Sequence, residues 1–424
     1  MKISRGLRTS AVALIASLLI ATWIQVPDPR VVTAAASNSY STLGSIEMSP
    51  GSCGADDANS VINGTGIRRI INAPGGVTYV VGCFTDFAGV AEADYVAMWD
   101  GTNWSGLGNS GDINSVVYDA AIFRGDLVIV GNFTDAGGNS AADMITGWDP
   151  SANSGTGGWK AFPTADPTFG YAACTNGQNS PKSGLNDYLS VVTVDDQGTS
   201  EDTSDDTLIV GGDMYYGICD GRSGYTIAYT SKVARWNGTG WEALDDSAAF
   251  DGFNSQKYIP RAILVDGDHV YIGAYKLTAL SSDTLGKYKH AFVVFNGTSF
   301  SYPITSVSPY SDGSGFGVMS LAKSSSGILL GGTFYNLNYT ASYVAEYSAG
   351  AITSFNSFSI GGGSGAVIRD LEVVRGQLFV GGAFATGPSG SVGSAVARWN
   401  GTSWSGFSNS DIYGVNDLEF DNAE

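Results

Sequence analysis

Short apolar runs alternate with glycine-rich polar stretches along almost the whole chain, and six of these runs end in a Gly-x-aromatic or Gly-x-apolar step. The anchor glycines are Gly82, Gly131, Gly212, Gly273, Gly332 and Gly382, each two residues before Phe84, Phe133, Met214, Tyr275, Phe334 and Phe384. A further apolar run precedes each anchor, as in Val367 to Val374, which is followed by a turn at Arg375-Gly376 and then Leu378 to Gly382. Recurrence at this spacing is the mark of a repeat architecture.

Downstream of the anchor lies a second motif, clearest at Val396-Ala397-Arg398-Trp399-Asn400-Gly401-Thr402-Ser403-Trp404. It recurs from Val96 to Trp104, from Val233 to Trp241 and, more loosely, from Val293 to Phe300. Asn-Gly or Asp-Gly between two β-type runs predicts a two-residue type I′ hairpin, whose central residues both need positive φ. That register sets Trp399 opposite Thr402 and Ala397 opposite Trp404, with both indoles on one face as diagonal neighbours.

Each unit thus has four strands, and tandem four-stranded units of this length favour radial closure into a propeller over a solenoid. The expected fold is all-β: a β-propeller of four-stranded antiparallel blades, with six blades and seven as the alternative. The blades span 64–107, 113–163, 186–245, 258–304, 316–357 and 365–407. In domain terms, 1–36 is a signal peptide, 37–63 an N-terminal lead with a closing strand, 64–410 the propeller and 411–424 a C-terminal closing strand. Tyr40 to Gly44 is similar to the outer-strand segment Trp104 to Gly108, and Val415 to Phe420 is similar to a first strand. Those two fragments make either an extra strand pair or the remains of a seventh blade.

With these motifs in view, the chain resembles the kelch and galactose-oxidase-like propeller group. It resembles more closely the secreted proteins carrying Gly-Gly-x-Phe and Val-Ala-Arg-Trp-Asn-Gly-Thr-x-Trp repeats, including the fungal bud-site cortical markers. The likeness covers residues 60–410 and implies an architecture rather than an activity. The chain departs from the pattern at Val81 and Val130 in place of the first glycine of the doublet, at Trp148-Asp149-Pro150 and at Tyr347-Ser348-Ala349-Gly350.

Composition narrows the setting. Lys2, Arg5 and Arg8 precede the apolar run Ala11 to Val26, and Ala34-Ala35-Ala36 offers a small-residue cleavage site, as in a secretory signal. The expected location is extracellular or at the cell surface, with no membrane span in the mature chain; the alternative for the apolar run is an uncleaved anchor helix. Forty acidic residues against 21 basic ones give a formal net charge of −19, a field that repels polyphosphates. Nucleic acid is therefore not an expected partner. The even cysteine count suggests two disulfides, Cys53 with Cys83 and Cys174 with Cys219 among three possible connectivities. Of seven Asn-x-Ser/Thr sequons, Asn237, Asn296 and Asn400 are explained by turn chemistry alone.

Chemistry is harder to find. Both histidines, His269 and His290, read as surface or strand-end residues, which argues against a copper centre or a serine triad. No metal or organic cofactor is expected, except that the acidic run from Asp195 to Asp206 could chelate calcium; the competing reading is a solvated loop. The tryptophans at matched positions read as packing between blades. Insertions flanking the third unit gather Asp213, Tyr215, Tyr216, Asp220 and Arg222, a set suited to sugar stacking or peptide contact. The alternative for these tyrosines is a loop core around a Cys174 to Cys219 bridge.

The function expected from these features is a secreted, monomeric, non-enzymatic module that binds extracellular protein or glycan. Two alternatives stand beside it: a carbohydrate-active enzyme using carboxylates at one propeller mouth, and a passive component of the cell surface.

Overall fold

A computed structural model describes residues 49–50, 66–162, 187–200, 202–214, 217–219, 227–229, 232–244 except 239, 258–276, 288–306, 316–360 except 336, 339, 340, 357 and 359, 366–384, 395–406 and 415–420. The chain is all-β, built of antiparallel sheets. Sheet one comprises Gly66–Ala73, Val77–Thr85, Val96–Trp99 and Trp104–Ser105, and sheet two Val117–Phe123, Asp126–Gly131, Ile145–Asp149 and Gly158–Ala161. Sheet three comprises Asp187–Asp195, Thr207–Met214, Val233–Trp236 and Trp241–Ala243. Sheet four comprises Tyr258–Asp266, His269–Lys276, Phe292–Phe295 and Phe300–Ser301. Sheet five comprises Phe316–Lys323, Ile328–Gly332, Val344–Ser348 and Ala351–Ser354, and sheet six Val367–Val374, Gln377–Ala383, Val396–Trp399 and Trp404–Gly406. These strands fall within the six spans read from the sequence. Ser49–Pro50 adds to the far end of the second strand of sheet one, and a short pairing at Tyr275 and Lys276 joins sheets four and five.

Every first strand is bulged. Pairing with the second strand slips at Arg68, Tyr118, Ser190, Arg261, Met319 and Arg369, one residue per sheet. A bulge leaves one residue outside the ladder and re-aims its side chain. It also explains the anchor glycines, because the bulged strand brings a carbonyl against the facing Cα. A Cβ at Gly131 would lie 2.2 Å from the Val116 carbonyl oxygen, and one at Gly382 would lie 2.1 Å from that of Val367. The fourth anchor is shifted by one: Pro260, the residue before the bulge, faces Ala274, so Gly273 holds the place of the preceding residue of each pair.

The hairpin register differs from the sequence expectation. Trp399 faces Trp404, and Arg398 faces Ser405, so the loop has four residues instead of two. Asn400 Oδ1 accepts hydrogen bonds from the main-chain N–H groups of Thr402 and Ser403, at 3.0 and 2.9 Å, and only Gly401 takes a positive φ, +95°. The side chain of Asn400 has displaced the I′ turn by capturing backbone donors itself. Turns with positive φ at both central residues occur between first and second strands instead, at Arg124-Gly125 and Arg375-Gly376.

A directly opposed aromatic pair occurs in five of the sheets. Trp99 with Trp104, Trp148 with Trp159, Trp236 with Trp241, Phe295 with Phe300 and Trp399 with Trp404 have ring centroids between 4.8 and 5.4 Å apart. Such pairs add to sheet stability beyond their buried area. Phe162 carries the packing from sheet two to Trp236 and Trp241 of sheet three, in line with tryptophans that pack between units. Replacing Gly401 with Val should cost about 1–3 kcal/mol, since a β-branched residue is strained at that φ. Thermal melting checks this; an unchanged transition would show that the loop relaxes freely.

First strands of successive sheets contact one another from sheet one through to sheet six. Residues 415–420 then lie between sheets six and one. A Cβ at Gly381 would meet Val415 and Leu418, as one at Gly331 would meet Ile368 and Leu371. The tail therefore sits on sheet six as the first strand of sheet six sits on sheet five. Residues 415–420 belong to no strand or ladder, so the tail occupies this position without the closing strand expected from the pattern in Val415 to Phe420.

Candidate functional site: the cavity between the first strands

Because each bulge turns a side chain out of its ladder, the bulged residues share one cavity of about 210 Å³. Arg68, Tyr118, Ser190, Arg261, Met319 and Arg369 line it, and Asn416 holds the equivalent place on the tail. The residue after each bulge forms a second tier, of which Arg69, Asp119, Ser320, Asp370 and Asp417 carry polar groups. Four arginines thus face three aspartates in the cavity of a chain whose net charge is −19.

The three aspartates do the same job. Asp119 Oδ2 accepts the Val192 N–H at 2.9 Å, Asp370 Oδ2 that of Leu418 at 2.7 Å, and Asp417 Oδ2 that of Ile70 at 2.7 Å. Each carboxylate reaches from one first strand to the main chain of the next, satisfying a donor that no ladder serves. Where sheet three has Val191 at this position, Ser190 donates instead to the Pro260 carbonyl at 2.6 Å. Arg69 Nη1 pairs with Asp417 at 2.9 Å, its Nε lies 3.7 Å from Asp119, and Asn416 donates to the Ile67 carbonyl. The charged residues of the second tier are consequently committed to joining strands.

Burial shapes the charge states. It pushes Asp417 well above the usual carboxylate range, against the pull of Arg69. Asp119 and Asp370 are raised for the same reason. Nearby, burial and the neighbouring Asp370 and Glu419 carry Glu372 up to about 8. A carboxyl raised on folding binds its proton more tightly in the native state, so the stability this proton contributes is present at acid pH and lost as pH rises toward 8. Glu372→Gln should therefore melt later than the parent near pH 8, by roughly 1–3 kcal/mol after allowance for solvent, and like the parent near pH 4. Equal melting at both values would mean that Glu372 is fully hydrated.

The residues singled out from the sequence fare differently. Asp213 is the penultimate residue of the second strand of sheet three and is paired with the buried Lys232, so its carboxylate serves that ammonium. Tyr215, Tyr216, Asp220 and Arg222 lie outside the described residues, between which the main chain forms a short hairpin of Gly217–Cys219 with Ile227–Tyr229. Cys53 and Cys174 also lie outside them; Cys83 is fully buried, and no described cysteine is a free thiol.

His290 departs from its reading as a surface residue. It is 4% exposed, packed against Tyr258 and Tyr302, and burial with the adjacent Lys289 lowers its pKa to about 4. The acidic run is partly internal: Asp195 and Asp206 are buried, Asp195 lies 3.4 Å from Arg235, and the Asp206 carbonyl accepts from Arg124. Among the described residues no group of three or more His, Cys, Asp or Glu side chains is placed to hold a metal ion. No helix among them is long and apolar enough to cross a membrane.

Sequence reasoning missed the cavity itself. Its trace is present in the matched triplets Val117-Tyr118-Asp119, Ile368-Arg369-Asp370 and Val415-Asn416-Asp417, each an apolar residue, a large polar one and an aspartate. Strict alternation hid them, because the bulge breaks the period of two that strand patterns rely on.

Comparison with protein families and with curated proteins finds no match. Among solved structures, the chain is similar to the computationally designed Ika8 protein, at 12% identity over 83% of this chain and 76% of that one, with a TM-score of 0.37. It is also similar to PorZ, an essential bacterial surface component of the type-IX secretion system of Porphyromonas gingivalis. That likeness is 11% identity over 94% of this chain and 60% of that one, with a TM-score of 0.19.

Proposed function

We propose that the chain is a secreted binding module, a six-bladed β-propeller that engages an extracellular glycan or protein through its central cavity. The observation that carries this reading is the convergence of one bulged side chain from each of six sheets on a single cavity. Convergent polar groups in a shared concavity are the usual form of a ligand site. On this reading each sheet is a blade, and residues 415–420 take the place of an inner strand at a seventh position that closes the circle.

Binding suits the cavity better than hydrolysis. A glycosidase needs two carboxyl groups, one to protonate the leaving group and the other to act as nucleophile or base. Here Asp119, Asp370 and Asp417 each hold a main-chain N–H of the neighbouring strand, so their oxygens are engaged in construction. A glycan and protein array probed with residues 37–424 tests the proposal. Retention of a defined class of spots, lost on Arg369→Met with melting unchanged, is the expected result. Turnover of a spotted glycan would favour the enzyme instead, and a silent array would overturn the module.

A further inference from the structure

Carboxyl groups flank the tail, residues 415–420, on both sides. On one side Asp370, Glu372 and Val374 share a face of the first strand of sheet six, because alternate residues of a strand point the same way. Glu372 is opposite Phe379 in the ladder, and Phe379 and Val374 are the residues that Val415, Leu418 and Phe420 of the tail cover. On the other side the tail turns Asp417 and Glu419 toward sheet one, where they accept the Ile70 N–H at 2.7 Å and the Asn72 Nδ2 at 3.3 Å. Four carboxyl groups thus meet at one junction, and Arg69 is the cation that acts on all of them. Asp119 of sheet two lies just beyond, 3.7 Å from Arg69, while Arg68, Arg369 and Arg398 border the junction with interactions of their own.

The donors are shared unevenly. Asp370 accepts the Leu371 and Leu418 N–H groups, Asp417 accepts from Ile70 and Arg69, and Glu419 accepts from Asn72. Glu372 accepts from none of the described residues. A carboxylate covered without a donor is unfavourable, and neighbouring carboxylates make it more so, whereas the neutral acid carries no such penalty. Burial first, and then Asp370 and Glu419, carry Glu372 up to about 8; burial raises Glu419 as well.

We propose that the tail is a proton-held latch: residues 415–420 close the junction between sheets six and one while a proton sits among these carboxyl groups, and they let go as pH rises through the neutral range. With its proton, Glu372 lets the tail lie on sheet six. As an anion beside Asp370 and Glu419 it repels the tail and draws in water. A carboxyl raised by docking binds its proton more tightly when the tail is down, so docking takes up a proton and opening releases one between the ordinary glutamate range and about pH 8. Closure is therefore firm at acid pH and weakens as pH rises toward 8. Asn416 and Asp417 also line the cavity, so release opens its wall between sheets six and one, whatever the cavity binds.

Amide hydrogen exchange of residues 37–424 from about pH 5 to about pH 8, each rate corrected for base catalysis, tests the latch. Protection of the Ile70 and Leu418 N–H groups should fall severalfold per pH unit, toward the limit of about tenfold set by one proton, while that of Ile209 in sheet three stays level. Glu372→Gln keeps the shape and removes the titration, so it should flatten the profile and leave the tail docked near pH 8. Should that variant fold poorly, the carbon-13 shift of the Glu372 carboxyl in the wild type takes its place, with a midpoint at about 8 expected. Protection that ignores pH, or a fall shared equally by all six sheets, would overturn the proposal. So would a Glu372→Gln profile as steep as the parent's, or a midpoint in the ordinary glutamate range.

Discussion

Truncation before Val415 is expected to lower stability by roughly 5 kcal/mol or more, the whole stability of a domain at the low end of the ordinary range. Val415, Leu418 and Phe420 are all buried, against Phe379 among others, and each such side chain contributes about 1.5–3 kcal/mol. The cut also removes Asp417, stranding the Ile70 N–H and leaving the Arg69 guanidinium only its longer contact with Asp119, and takes the Leu418 N–H from Asp370. Calorimetry of the shortened chain measures the total, and hydrogen exchange locates it. Protection should fall first at Ile70 and along the first strand of sheet six. A truncated protein melting with the parent, protected equally at these sites, would refute closure through the tail.

The second large effect is expected at Gly382. A Cβ there would lie 2.1 Å from the Val367 carbonyl oxygen and 3.0 Å from the Ile368 Cα, both main-chain atoms that cannot rotate away. Gly382→Ala should cost about 3 kcal/mol or more, the upper range for overpacking, in spite of being the smallest substitution available. Gly401 makes the control, because a Cβ there meets nothing within 4 Å and its difficulty is only the positive φ. Urea unfolding should rank Gly382→Ala well below Gly401→Ala. The opposite order would mean that backbone conformation, and not the squeeze of the bulged strand, governs these glycines.

How far the sequence could be read depends on the range of the interaction concerned. The sheets were legible because their patterns are local: Leu378 to Gly382 and Val396 to Trp399 are apolar runs separated by turn residues. The tail was legible only in part: Val415 to Phe420 repeats the first-strand pattern, yet these residues form no strand. Turn chemistry was harder. Asn400-Gly401 reads as a I′ turn until the side chain of Asn400 takes two backbone donors, which shifts the partner of Trp399 from Thr402 to Trp404.

The cavity was nearly invisible. Asp119 and Val192 are 73 residues apart, and nothing short of the assembled sheets indicates that the carboxylate of one meets the N–H of the other. His290 escaped likewise, because its burial comes from Tyr258, on the first strand of sheet four, and Tyr302, just past the fourth. The glycine anchors stand between these extremes, being plain as a repeat although their cause is the bulge in a facing strand.

The contact of Arg69 with Asp417 spans 348 residues, against 48 for that of Asp370 with Leu418. Since the entropy of loop closure grows only with the logarithm of length, the longer span is about 2 kcal/mol more costly than the shorter. That is a small thermodynamic difference and a large temporal one. Sheets one to six can each form as they leave the ribosome, yet the bond between the first sheet and the tail must wait until Asp417 has been delivered. Assembly then ends where the two chain regions meet, and spontaneous opening should begin at that junction.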